Sequence, residues 1–159
     1  MKGADFLEKQ HHQVIDGNSV YFPFPPYDCQ NSYMTKVINA CAQNENALLE
    51  SPTGTGKTLS LLCSSLAWLK MEREKMYHAA GGGDIDPSLI PKIIYCSRTH
   101  SQLQQVQKEL KNTVYEPRTV LIASRDHLCV NQKINMKRGH ALNAACLEEQ
   151  KGVLPCIYF

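Results

Sequence analysis

The stretch "LLESPTGTGKTLSLL" (48–62) decides how the rest of the chain is read. Residues 51–58 fit the phosphate-loop formula except at the first position, where Ser51 stands in place of glycine. Each part of the formula has a mechanical job. Gly54 and Gly56 let the backbone turn its N–H groups inward onto phosphate oxygens. A helix beginning near Lys57 aims its positive end at the same place. Lys57 reaches the β- and γ-phosphates, and the Thr58 hydroxyl ligates Mg²⁺. Ser51, Pro52, Thr53 and Thr55 complete the cradle. The first position shapes the turn and contributes little phosphate contact, so Ser51 reads as a tolerated variation.

The flanks supply the context the loop needs. "NALLE" (46–50) reads as a short buried strand, and residues 58–75 read as a helix with Leu59, Leu62, Cys63 and Leu66 on one stripe. Upstream, Tyr33, Met34, Val37, Ile38 and Cys41 recur at helical spacing across 31–42. Downstream, "KIIYC" (92–96) and "TVLIA" (119–123) read as strands, with a helix marked by Leu103, Val106 and Leu110 between them. Strands alternating with helices predict an α/β fold with a parallel sheet and right-handed crossovers. Residues 77–91, with three consecutive glycines and two prolines, read as a flexible surface insertion. Residues 1–18 read as a flexible lead-in, and after Arg125 a cysteine-bearing, partly helical segment runs to the end.

Composition bounds the class. The chain has 159 residues, 43% hydrophobic and 20% charged, which fits a globular domain with a real core. No apolar run approaches the ~18 residues of a membrane span, and the polar start lacks the pattern of a secretory signal. Charge is uneven. Residues 1–91 hold 7 basic and 10 acidic residues, a net of −3, whereas 92–159 hold 10 and 5, a net of +5. The basic half points to a polyanion partner or is an ordinary solvated face. Seven cysteines without a secretion signal predict a reducing compartment. Of these, Cys29, Cys41, Cys63 and Cys96 read as buried thiols.

Three further segments carry candidate chemistry. In "YFPFPPYDCQNSYM" (21–34), an aromatic ring can cover an adenine and the Gln30 amide can read its edge; alternatively Tyr21, Phe22 and Phe24 simply pack. "YCSRTHSQL" (95–103) clusters Ser97, Arg98, Thr99 and His100 after a strand, on the side where open α/β sheets bind ligands. "ASRDHLC" (123–129) repeats the pattern with Ser124, Arg125 and His127. The two loops make a track for a single strand's phosphates, or each is a helix N-cap beside a surface arginine.

Together, "YFPFPPYDCQNSYMTKV", "LLESPTGTGKTLSLLCSSLAW", "PKIIYCSRTHSQLQQV" and "SRDHLCV" resemble the iron–sulfur DEAH-type DNA helicases of superfamily 2, the xeroderma group D and Fanconi group J type. The resemblance covers about residues 18–159. It implies part of a RecA-like motor domain over 19–125 running into an incomplete iron–sulfur cluster domain over 126–159. It implies that Gln30 reads adenine, that 51–58 hold ATP, and that Ser97, Arg98, Thr99, His100, Ser124 and Arg125 contact single-stranded or forked DNA. It also implies that Cys129, Cys146 and Cys156 are three of four ligands to a [4Fe–4S] cluster, with Lys133, Lys137 and Arg138 facing DNA. Their gaps of 16 and 9 residues are no zinc-ribbon spacing; without the resemblance they read as free thiols rather than ligands.

The implied activity is ATP-dependent 5′-to-3′ unwinding in the nucleus, serving telomere stability, DNA repair and restraint of homologous recombination. No "DEAH"- or "DExD"-type run occurs in the 159 residues, and the aromatic ending "PCIYF" reads as a truncated chain. Two other readings therefore stand beside a helicase portion inactive by itself. One is a non-enzymatic module for nucleotide or single-stranded DNA; the other is a truncated product that does not fold alone.

Overall fold

The computed structural model describes residues 8–83, 85–86, 88–152 and 155–158. The chain divides into two compact units, Met1–Pro117 and Arg118–Phe159.

The first unit opens with a hairpin, β1 (His11–Ile15) and β2 (Asn18–Phe22), paired antiparallel from His11↔Phe22 to Ile15↔Asn18. The two connecting residues, Asp16 and Gly17, both have positive φ, 45° and 76°. Asp-Gly suits that turn because glycine takes positive φ freely and aspartate tolerates it. The lead-in expected over 1–18 is thus replaced by a strand and turn from His11 onward; residues 1–7 lie outside the described residues. β2 alternates, burying Asn18, Val20 and Phe22 while Ser19 faces out.

Helix α1 (Asp28–Gln43) buries Met34, Val37 and Ile38 on one stripe and ends at Asn44 in the left-handed region. Helix α2 (Lys57–Ala79) packs against α1 and β2. Val20, Phe22, Met34, Ile38, Leu59, Leu62, Cys63, Leu66 and Leu69 form the core, closed by Tyr115. Three serines of α2 are also buried, and each hydroxyl bonds back within the helix. Ser60 Oγ donates to Gly56 O (3.2 Å), Ser64 Oγ to Ser60 O (2.7 Å) and Ser65 Oγ to Leu61 O (2.6 Å). Burial therefore strands none of these hydroxyls. Helix α3 (His100–Lys111) lays Val106 and Leu110 on the same core. No helix among the described residues is long and apolar enough to cross a membrane.

The expected strands differ. Residues 46–50, 92–96 and 119–123 are irregular, and the only sheet among the described residues is β1–β2. A parallel strand gains its hydrogen bonds only from neighbours reached by crossovers. Strand-forming composition without such a neighbour leaves apolar side chains in water: Leu48 is 100% exposed, Ile94 84%, Val120 84% and Ile122 83%. The architecture is mixed α/β, with its helices as read and a hairpin where no sheet was expected.

The second unit contains α4 (Arg125–Leu128), a turn over 132–136 and α5 (Gly139–Lys151). Ile134, Leu142, Ala145 and Cys146 form its small core, with Cys129 packed against it. Asp126 Oδ1 accepts the Gly139 N–H at 2.7 Å, satisfying one open donor at the start of α5.

Candidate functional site: the phosphate loop and its neighbours

The loop runs into α2 through two glycines in the left-handed region, Gly54 (φ 83°) and Gly56 (φ 73°), the latter being the helix N-cap. Lys57 begins the helix, and its Nζ donates to the carbonyls of Ser51 and Pro52, both at 2.6 Å. Two of its three N–H donors are thereby fixed, leaving one for an anion. Thr55 Oγ1 donates to Pro52 O at 2.9 Å and lies 2.5 Å from Ser51 Oγ. The Ser51 side chain is therefore part of the loop's internal bonding. Thr58 is half-buried in the first turn of α2, while Pro52, Thr53 and Gly54 are exposed.

Gln30 comes to this loop from α1. It is 4% exposed; its Oε1 accepts the Tyr27 N–H (2.9 Å) and its Nε2 donates to Thr55 O (3.1 Å). Both ends of the amide hold protein backbone, and one lone pair and one N–H remain. Sequence reasoning placed Gln30 at a base but missed this tie to the loop. The capping-box position of Gln30, three residues past the N-cap Tyr27, signals only the bond to Tyr27 N–H and not the tie to the loop. The aromatic residues divide. Phe22 is in the core, meeting Phe24 edge-on at 5.0 Å, and Tyr21 packs on His12 at 4.7 Å with the rings tilted by 37°. Phe24 and Tyr27 stay exposed.

In the 97–100 segment the N-cap geometry is present. Thr99 Oγ1 accepts the Gln102 N–H and Gln102 Oε1 accepts the Thr99 N–H, each at 3.3 Å, which closes a capping box on α3. Ser97 Oγ donates to the same Gln102 Oε1 at 2.7 Å. Arg98 is exposed and His100 half-buried. In the second unit Ser124 caps α4, its Oγ 3.0 Å from His127 Nδ1, and Arg125 Nη1 donates to Asn143 Oδ1 at 3.3 Å.

The thiols also divide. Burial pushes the Cys63 thiol from the ordinary 9.0 up to about 12, and raises Cys41 in the same direction. Cys29 and Cys96 are exposed, against the expectation of burial, because one sits on the outer side of the first turn of α1 and the other on an unpaired segment. Cys146 is buried, and Cys129 and Cys156 are half-buried. Asn131 Nδ2 donates to Cys156 Sγ at 3.4 Å and Gln150 Nε2 to Cys146 Sγ at 3.9 Å. The donor chemistry suits iron–sulfur ligation. The arrangement does not: no three Cys, His, Asp or Glu among the described residues converge to hold a metal.

Residues 95–159 match the DEAD_2 family. The chain is 43% identical to the regulator of telomere elongation helicase 1 homolog of Arabidopsis thaliana over 98% of its own length. It is 38% identical to the mouse regulator of telomere elongation helicase 1 over 92%, and 44% identical to the Drosophila melanogaster homolog over 80%. The chain is thus similar to the DEAD_2 family over residues 95–159 and to regulators of telomere elongation helicase 1 over most of its length. The chain aligns with these three regulator of telomere elongation helicase 1 proteins over 80% to 98% of its length. It spans 17%, 14% and 16% of those three relatives.

Proposed function

We propose that these 159 residues are the ATP-phosphate-holding portion of a 5′-to-3′ DNA helicase of genome maintenance. The observation that carries the reading is Lys57, fixed at the mouth of a glycine-shaped loop by the Ser51 and Pro52 carbonyls with one N–H to spare. In this reading 51–58 hold the triphosphate, Thr58 ligates Mg²⁺, and Gln30 faces the adenine with its remaining lone pair and N–H. Ser97, Arg98, Thr99 and His100 of the first unit contact sugar–phosphate backbone of single or forked DNA, and Ser124 and Arg125 of the second unit do so separately. The work is nuclear: telomere stability, DNA repair and restraint of homologous recombination.

Cys129, Cys146 and Cys156 belong to this reading as thiolate ligands of a [4Fe–4S] cluster, which would supply a rigid metal-held domain. Because the three do not converge, the chain as it stands should purify with little iron or acid-labile sulfide.

The 159 residues hold no DEAH- or DExD-type acid to complete magnesium binding, so turnover belongs to the longer helicase. The same lack favours a second reading, a module that binds nucleotide without hydrolysing it. Mant-ATP titration with Mg²⁺, with and without single-stranded DNA, tests both. Binding abolished by Lys57→Ala supports the phosphate site, and undiminished binding in that variant refutes it. Phosphate release by the 159-residue chain would rule out the module. In a full-length protein Lys57→Ala should remove DNA-stimulated ATP turnover.

A further inference from the structure

We propose that Ser51, standing where the loop formula has glycine, is a positioning residue that holds the phosphate loop ready before nucleotide arrives. The proposal rests on the reading of 51–58 as an ATP loop and adds a role which that reading does not assign. The direction of the bonds follows from a proton count. The Thr55 hydroxyl has one proton, and it lies on Pro52 O at 2.9 Å. In the 2.5 Å contact between the two hydroxyls the donor is therefore Ser51. A relay results: Ser51 O–H to Thr55 Oγ1, Thr55 O–H to Pro52 O.

The far end of that relay is one of the two carbonyls that seat Lys57, and the other is the carbonyl of Ser51 itself. Residue 51 thus braces with its side chain the same turn whose carbonyls aim the ammonium. The backbone oxygen of Thr55 is pinned independently by Gln30 Nε2 at 3.1 Å. Glycine at 51 would remove the first link and add backbone freedom to the loop. A loop ordered in advance does not charge its ordering against binding, so apparent affinity rises with the fraction already competent.

The test uses the 159-residue chain, measuring ¹⁵N order parameters at Gly54 and Thr55 without nucleotide, and mant-ATP·Mg²⁺ binding by stopped flow. In the wild type the order parameters should lie near the rigid value of about 0.85, and in Ser51→Ala they should fall below about 0.6. Affinity in Ser51→Ala should drop about three- to tenfold, the range one net hydrogen bond gives, mostly through the association rate. Ser51→Thr, which keeps the hydroxyl, should restore both, and Ser51→Gly should be no better than Ser51→Ala. Thr55→Val removes both links of the relay, so it should lose at least as much as Ser51→Ala, and the double variant should add nothing to Thr55→Val alone.

Unchanged order and affinity in Ser51→Ala, or a Ser51→Thr no better than Ser51→Ala, would overturn the proposal. So would additive effects in the double variant. If the wild type binds no mant-ATP, the ATP reading fails by itself and the order parameters decide the brace. Loss in Ser51→Ala with rescue by Ser51→Thr upholds it, and no loss refutes it. An equal fall in thermal midpoint for Ser51→Ala and Ser51→Thr marks a merely structural residue and also refutes it.

Discussion

At Gly56 the backbone sits at φ +73°, and an added Cβ would meet Gln30 Nε2 at 2.6 Å. Alanine there incurs the left-handed penalty of about 1–2 kcal/mol and must push a buried amide off Thr55 O. Gly56→Ala should lower the thermal midpoint and weaken mant-ATP binding together. Gly54→Ala, with nothing near its Cβ, should show the smaller loss. The thiols give a second test at this scale. Cys29 and Cys96 should react with a thiol reagent in the folded chain at pH 8, and Cys63 only after unfolding. Because burial raises the Cys63 thiol to about 12, the folded chain holds that proton more tightly than the unfolded one. The stability it lends is complete below about pH 9 and is lost as pH climbs from there toward 12. A Cys63→Ser chain should show a shallower decline of unfolding free energy over that window. Lys57, Gly54 and Gly56 were legible from their spacing, because the loop formula is local. The Gln30 tie was not, since it joins residues 25 apart through a backbone oxygen.

Among elements, the helices were readable from apolar spacing alone. The expected 31–42 and 58–75, and the helix marked by Leu103, Val106 and Leu110, became Asp28–Gln43, Lys57–Ala79 and His100–Lys111, their ends set by caps rather than apolar spacing. The hairpin was missed although Asp16-Gly17 between "HHQVI" and "NSVYF" carries its signal, a two-residue turn that suits positive φ. Gly17→Val should cost about 1–2 kcal/mol at that φ, read as a lower urea midpoint with an unchanged slope. The strands expected from composition failed for the opposite reason: pairing partners are not written in a segment's own residues. Ile94 and Ile122 are strand formers left in solvent.

For the molecule as a whole, the two units each carry a core: one around Phe22, Met34 and Cys63, the other around Ile134, Leu142 and Cys146. The boundary read at 125 from the fading of the α/β pattern lies eight residues past the division after Pro117. Unpaired backbone should govern protease access. Limited trypsin should cut first after Lys92 and Arg118, in irregular segments, while Lys36 and Lys70 within α1 and α2 stay protected. Early cleavage at Lys36 or Lys70 would mean that the first unit's core does not hold. The basic balance of residues 92–159 spreads across both units, with Arg98 and Lys108 in one and Arg125, Lys133 and Arg138 in the other.

The buried serines of α2 have one more consequence. Each hydroxyl returns its proton to a carbonyl of its own helix, one that the helix's N–H ladder also uses. Among the described residues their side-chain hydrogen bonds stay within α2 and its N-cap, Gly56. To the neighbouring packing these positions are only small shapes, so their chemical identity is interchangeable while their size is not. Alanine or cysteine at 64 fits the same space and strands no partner; asparagine would bring an amide that the helix cannot absorb. Variation along that face should therefore drift freely between polar and apolar letters within one narrow volume, a pattern that hydropathy alone would misread as a change of environment.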